Sequence, residues 1–344
     1  MGLRPKPRPS AAVGYLALWN PDMSTIQCSM IRESAEIISH FSLLTSHFPA
    51  LLKKKQNCGI ILQKEVTPLL TDLHTHTHHS YDAADETVAE RIAAAKRLGL
   101  RVMAITDHVE INRFFDADHY HAQETEEFTY GFSRAFAGSV HETFCAKQGL
   151  EGLTLLCGAE VGQIPQAPEI ARVLYDDPRI DLIIGSVHEL PGRADFYFLD
   201  YAQENIPKLI GEYFEEVLRL AETDCYDILA HLTYGLRYLP NRAEIDLTPY
   251  LPIIDRIFFA LITGGRALEL NGSGLKYATP YTDPDFALIA RYRSLGGRLL
   301  TLGTDAHETR HLGLDLDRLE QLARDAGFTE LTYFERHEPK FLSL

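Results

Sequence analysis

The chain has 344 residues, 45% of them apolar and 24% charged, enough for one large barrel domain or two ordinary ones with a core of normal size. Its formal net charge of −15 disfavours general binding to nucleic acid or an anionic membrane, so an anionic ligand must be drawn in by metal ions or a few placed basic groups. Five widely spaced cysteines without a C-x-x-C argue against a disulfide framework or thiolate zinc site and fit a reducing, cytoplasmic compartment, and no apolar run is long enough to span a bilayer.

Residues 1–66 are net basic, whereas the remainder is strongly acidic. The basic run Arg4–Ser10 before apolar Ala11–Trp19 loosely mimics a secretory signal. No small-x-small cleavage site follows, and Asn20-Pro21-Asp22 reads as a turn. We therefore read residues 1–66 as a disordered or loosely attached extension and residues 67–344 as the main folded domain. From Thr67 onward, short apolar runs alternate with helical periods. Strands are expected at Pro68–Asp72, Arg101–Thr106, Thr154–Gly158, Asp181–Ser186, Asp227–Ala230, Ala267–Leu270 and Arg298–Gly303, all with the apolar character of buried parallel strands. Helices are expected at Thr87–Leu98, Leu209–Ala221, Leu251–Thr263, Asp285–Leu295 and Leu316–Ala326. In the first of these, Thr87 and Glu90 make a capping box and Gly99 suits the C-terminal cap. Repeated β-then-α units predict parallel strands with right-handed crossovers. Seven units in about 270 residues fit a closed (β/α)7 barrel, with a doubly wound open sheet as the alternative.

Residues of metal-ligating type sit just after these runs. The first ends in Asp72-Leu-His74-Thr-His76-Thr-His78-His79, the second in Thr106-Asp107-His108, the third in Gly158-Ala-Glu160 and the fourth in Ser186-Val-His188. The fifth leads into His231 and the seventh into Asp305-Ala-His307. In a barrel all C-terminal strand ends open on one face, so these side chains would meet at one mouth. His74 and His76 are two apart and share a strand face, as do Asp305 and His307. Imidazole and carboxylate together suit zinc, iron or manganese, and the supply exceeds what one four-coordinate ion can use. Each piece alone has an ordinary explanation: a packed or surface histidine, a helix cap, or a glutamate at a helix start. Those explanations would all have to hold at once, at successive strand ends.

From about Thr67 to Leu344 the chain resembles the polymerase and histidinol phosphatase (PHP) superfamily, in its stand-alone histidinol-phosphatase branch. The resemblance rests on Asp72-Leu-His-Thr-His-Thr, Ile105-Thr-Asp-His108, Gly158-Ala-Glu160, Ile184-Gly-Ser-Val-His188, Ala230-His231-Leu-Thr-Tyr and Leu302-Gly-Thr-Asp-Ala-His307. Glu269-Leu-Asn-Gly-Ser-Gly-Leu-Lys276 and the closing Phe334-Glu-Arg with Pro339-Lys-Phe-Leu point to that branch. It implies a distorted seven-stranded, TIM-like β/α barrel holding two or three divalent ions (Zn, Fe or Mn) at the C-terminal strand ends. The implied ligands are His74, His76, Asp82, His108, Glu160, His188, His231, Asp305 and His307. Asp82 stands where many members carry a histidine. The implied activity, in histidine biosynthesis, is hydrolysis of L-histidinol phosphate to L-histidinol and phosphate.

The expected chemistry is attack of a metal-bridging hydroxide on phosphorus, with the ions neutralising phosphoryl charge. Asp305, His307 or water handles protons; the sequence does not choose. Arg237 is the first candidate for gripping phosphate, then Lys276 and Arg193; Asn271 is placed to hydrogen-bond substrate. Phe114, Phe115, Tyr197, Phe198 and Tyr201 are candidates to stack on an imidazole. The partner implied is thus a small phosphorylated molecule, with neither nucleic acid nor membrane. Rival readings are a PHP-type nucleotide phosphodiesterase or exonuclease, another small-molecule phosphatase, and, from a different class, a non-catalytic metal-binding module. An amidohydrolase barrel shares the H-x-H logic but needs a carboxylated lysine that is not evident.

Overall fold

The computed structural model describes residues 71–111, 132–277 and 281–344. The extension 1–66 lies outside the described residues, as do 68–70 of the first expected strand, Phe114 and Phe115. Ten strands are present among the described residues: β1 (Thr71–Asp72), β2 (Val102–Ile105), β3 (His108–Glu110), β4 (Thr154–Gly162), β5 (Leu182–Ser186), β6 (Ile228–Leu229), β7 (Ala267–Asn271), β8 (Leu300–Gly303), β9 (Glu330–Glu335) and β10 (Glu338–Ser343). The helices are α1 (Val88–Leu98), α2 (Phe132–Ala146), α3 (Pro168–Tyr175), α4 (Ile206–Ala221), α5 (Leu251–Gly264), α6 (Phe286–Ser294) and α7 (Leu316–Asp325).

Parallel strands follow one another in the order β1-β2-β4-β5-β6-β7-β8, with β3 pairing β4 beyond the end of β2. Past β1 the Leu73 amide donates to the Leu302 carbonyl at 2.9 Å, and Thr75 bridges Ala306 in parallel. The sheet thus curls into a nearly closed seven-stranded barrel rather than an open doubly wound sheet. α1 forms where expected because its ends are satisfied: Glu90 N donates to Thr87 Oγ1, Thr87 N donates to Glu90 Oε2, and Gly99 adopts the left-handed conformation at φ 75°.

Strand alternation sorts side chains into two apolar compartments. Met103, Ile105, Leu155, Cys157 and Ile183 face the helices. Val102, Ala104, Leu156, Leu182, Ile184, Ile228 and Ala267 pack together inside the barrel. Continued two residues at a time toward the C-terminal ends, the inner rows change character: Leu156 leads to Gly158 and Glu160, Ile184 to Ser186 and His188, Ala267 to Glu269 and Asn271. The lumen is therefore apolar at its floor and ionisable at its mouth.

Four features were not expected. β4 continues to Gly162 instead of stopping at Gly158, β3 adds a short strand, α2 and α3 fill crossovers, and β9 and β10 form an antiparallel hairpin. Phe334 on β9 packs with the lumen residues and seals the floor. The hairpin turn, Arg336 (φ 51°) and His337 (φ 64°), is left-handed at both positions, which matches strand twist.

His337 anchors this turn. Its amide donates to the Asp181 carbonyl at 2.8 Å, Nδ1 meets Asp227 Oδ2 at 2.9 Å and Nε2 meets the Tyr175 carbonyl at 3.0 Å. Both ring nitrogens face acceptors, so the doubly protonated ring fits best. Burial opposes that charge, but the hydrogen bond to Asp227, its negative charge and the Tyr175 carbonyl together outweigh it and raise the pKa. A raised folded-state pKa contributes stability that is fully present below the unfolded value of about 6.5 and is lost as pH rises through the folded value. The Tm gap between wild type and His337→Asn, about 1 kcal/mol in stability at pH 6, is expected to narrow toward pH 8 and above. A gap that widens with pH would exclude this account.

Candidate metal centre

Glu160 lies at the hub of the mouth. Its Oε2 is 2.8 Å from His108 Nδ1 and 3.3 Å from His74 Nε2, and its Oε1 is 2.9 Å from His231 Nε2 and 3.1 Å from His188 Nε2. Asp305 Oδ1 is 3.3 Å from His76 Nε2 and 3.9 Å from His74 Nε2. Asp82 contacts His108 at 3.5 Å and His307 at 3.4 Å. The structure brings all nine sequence-expected ligands into one cluster. Eight of them fall into groups of three whose ligand atoms lie within 4.8 Å: His76, His108 and His307; His74, His76 and Asp305; His74, Glu160 and His231; His108, Glu160 and His188. Asp305 itself has φ 54°, a conformation costly for a non-glycine residue and one that recurs at functional sites.

Outer partners fix which ring nitrogen points inward. His74 Nδ1 is 2.8 Å from Glu269 Oε1, and His188 Nδ1 is 2.8 Å from Glu110 Oε1. His76 Nδ1 is 3.0 Å from Ser80 Oγ, whose own proton goes to Asp107 Oδ1 at 2.8 Å. His307 Nδ1 is 2.9 Å from the Asp305 carbonyl. Each of these Nδ1 atoms donates outward, so each Nε2 offers its lone pair to the centre. The consequence is otherwise unfavourable: His108 and His307 face Nε2 to Nε2 at 3.3 Å, and His188 and His231 do so at 3.4 Å. Despite these short contacts, His74 Nε2, His76 Nε2, His108 Nδ1 and Glu160 Oε2 are buried without a well-aligned hydrogen bond. Such a set of converging, unsatisfied donor atoms fits divalent cations, which turn every one of these contacts attractive.

Electrostatics agree. Burial pushes the His74, His188 and His108 rings down, but neighbouring carboxylates outweigh it; His74 and His188 are held well above the usual range and His108 rises to about 9. Burial together with neighbouring histidines pulls His76 well down. Burial would raise Glu160 and Asp305, yet histidines around the former, and Lys276 and His74 beside the latter, hold both carboxylates well below their ordinary values. Protons thus occupy places suited to cations.

The expected phosphate-binding residues separate. Arg237 is largely but not fully buried at the edge of the cluster, its Nη1 3.7 Å from Asp305 Oδ2 and its Nη2 3.0 Å from Asp283 Oδ2. Lys276 is also beside the cluster and donates Nζ to the Asp305 carbonyl. Asn271 is buried at the end of β7, with Nδ2 donating to Glu269 at 3.1 Å and Oδ1 accepting the Ser273 amide at 2.8 Å. Arg193, by contrast, is drawn into ion pairs with Glu204 and Glu212. Among the expected aromatics, Tyr197 packs edge-on against Phe198 and Tyr238, and Tyr201 donates to the Phe196 carbonyl at 2.6 Å.

Sequence reasoning missed the outer carboxylates. Glu110 is two residues after His108, the same spacing that singled out His74 and His76, so a signal existed. Glu269 is a lone carboxylate inside an apolar run, itself an anomaly. Its Oε2 also accepts the His231 amide at 2.7 Å, so it positions ligands from two strands. Gly303 makes this possible: a Cβ there would lie 2.3 Å from Glu269 Oε1 and 2.5 Å from His74 Cβ.

Comparison with known proteins agrees with this geometry. The family described as PHP domain matches residues 72–273. The chain is 29% identical over 265 residues to a probable histidinol-phosphatase of Thermotoga maritima, spanning 76% of this chain and 94% of that protein. It is 28% identical over 272 residues to a histidinol-phosphatase of Lactococcus lactis subsp. lactis, spanning 76% and 93%. The crystal structure of the L. lactis histidinol phosphate phosphatase, complexed with zinc, L-histidinol and phosphate, has the same fold, with a TM-score of 0.63 at 22% identity and coverage of 79% of this chain and 99% of that one.

Proposed function

The chain belongs to the PHP domain family, and from that premise we propose that it is a metal-dependent phosphomonoesterase that hydrolyses L-histidinol phosphate to L-histidinol and phosphate. The observation carrying this reading is the inward presentation of His74, His76, His188 and His307 lone pairs around Glu160 and Asp305. His74, His76, Asp82, His108, Glu160, His188, His231, Asp305 and His307 would hold two or three ions, zinc among the candidates. When bound, such ions neutralise phosphoryl charge and make water a competent nucleophile near neutral pH.

The chain's own groups do the rest. Arg237 and Lys276 flank Asp305 and supply cationic donors to the phosphate oxygens. Asp305 is ionised and has no proton to give, and His307 as a ligand presents a lone pair with its Nδ1 proton held by the Asp305 carbonyl, so the leaving alkoxide takes its proton from solvent. His307, with its side chain 25% exposed, is the most accessible of the nine. A small phosphorylated substrate fits this reading, and among the described residues no helix is long and apolar enough to cross a membrane. The cytosol is part of the proposal; the described cysteines Cys145, Cys157 and Cys225 are free thiols, as a reducing compartment favours.

The test is metal analysis together with phosphate release from L-histidinol phosphate, in wild type and His76→Ala, with a dinucleotide as the competing substrate. Faster turnover of the dinucleotide, or wild-type metal content and rate in the variant, would overturn the reading. Arg237→Ala is expected to cost about 10- to 100-fold in kcat/KM, mostly through KM, since a cation-to-phosphate contact is lost. Michaelis parameters equal to wild type would remove Arg237 from the site.

A further inference from the structure

A second set of ligand-type side chains lies outside the centre just described. His78 and His79 follow His76 on the loop after β1, and Glu142 stands on α2. His79 Nε2 is 2.9 Å and His78 Nε2 is 3.7 Å from Glu142 Oε2. One ligand atom from each of the three residues lies within 4.8 Å of the others. The side chains are partly accessible, at 29%, 18% and 32% for His78, His79 and Glu142.

The surroundings aim these atoms at one another. His78 Nδ1 is 3.3 Å from the Glu86 carbonyl, to which it donates, so its Nε2 turns a lone pair toward the Glu142 carboxylate. Glu142 Oε1 accepts the Val88 amide at 3.1 Å and steadies the start of α1, leaving Oε2 to face the imidazoles. Gly138 on α2 makes room for His79, since a Cβ there would come within 2.8 Å of His79 Cε1. A lone pair facing a carboxylate oxygen is repulsive, and a cation between them reverses the sign. Tetrahedral zinc with bonds of about 2.0–2.2 Å separates its ligand atoms by roughly 3.3–3.6 Å, and the two observed spacings, 2.9 and 3.7 Å, straddle that range.

We infer that His78, His79 and Glu142 form a separate site for a divalent transition metal, Zn2+ being the best match to two imidazoles and one carboxylate, with water completing the coordination. Occupancy ties the loop after β1 to α2. A connection of the same kind already exists there: Ser80 on the loop and Ser139 on the helix both donate to Asp107, at 2.8 and 2.6 Å.

The experiment uses holoenzyme dialysed without added metal and then titrated with Zn2+ against a chromophoric zinc indicator. Wild type is expected to take up one further equivalent beyond the ions it retains. His79→Ala and Glu142→Gln are expected to weaken that uptake at least about tenfold while retaining wild-type phosphatase activity. Glu142→Gln keeps an acceptor for the Val88 amide, which separates loss of a ligand from loss of a helix cap. No extra uptake by wild type, or an unchanged uptake curve in either variant, overturns the site.

Discussion

Glu160→Gln is expected to lower kcat/KM for L-histidinol phosphate by at least about 10³-fold, equivalent to about 4 kcal/mol of transition-state stabilisation, and to reduce bound metal. Each Glu160 oxygen lies within 3.3 Å of two histidine nitrogens, from four different segments of the barrel. Glutamine preserves volume but replaces one oxygen with an NH2 group, whose hydrogens point at atoms arranged to donate lone pairs. The lost negative charge also removes the group that balances cations in a dry environment. Kinetics read alongside metal content decide the matter. A variant with the wild-type rate and full metal occupancy would mean that Glu160 is not a ligand and that the centre is misassigned.

The second large effect concerns stability rather than chemistry. Asp72 opens the first motif, yet it lies below the cluster and reaches across to the last barrel strand. Its carboxylate is fully buried and accepts from the Thr304 amide at 2.9 Å, the Thr304 hydroxyl at 2.5 Å and the Gly313 amide at 3.1 Å. Asp72→Ala leaves these donors without their acceptor, each costing about 1–3 kcal/mol when buried. The expected loss is about 3 kcal/mol or more, seen as a fall in Tm of roughly 6 °C or more. Because the Asp72 side chain bonds to Thr304 and Gly313, metal content at low temperature should stay near wild type. A change in Tm below about 2 °C would show that the barrel seam is held elsewhere.

The barrel and the cluster of ionisable side chains at its mouth were largely legible because two periodicities coincide. Short apolar runs mark buried parallel strands, and ionisable residues follow each at the one place where all strands open. The capping box at Thr87 and Glu90 likewise fixed α1 from local chemistry. What escaped has physical reasons. α3 is short and begins with Pro168, leaving little periodicity to detect. The C-terminal hairpin turns on Arg336-His337, which lacks the glycine or asparagine that normally marks two left-handed residues. β4 carries Gly158 and Glu160 where an apolar run would be sought, so the strand seemed to stop early. Arg193 shows the opposite limit: a loop arginine near a motif in sequence is captured by Glu204 and Glu212, and nothing local announces such partners.

The seam between β1 and β8 also sets a timetable for biosynthesis. Asp72 and Thr304 are separated by 232 positions, so at translation speeds of about 5–20 residues per second the opening segment waits on the order of 10–50 s for its mate. During that interval His74 and His76 have left the ribosome but Asp305 and His307 have not been made. Until then a nascent chain can assemble only part of the cluster, and ring closure has to await synthesis of the last barrel strand.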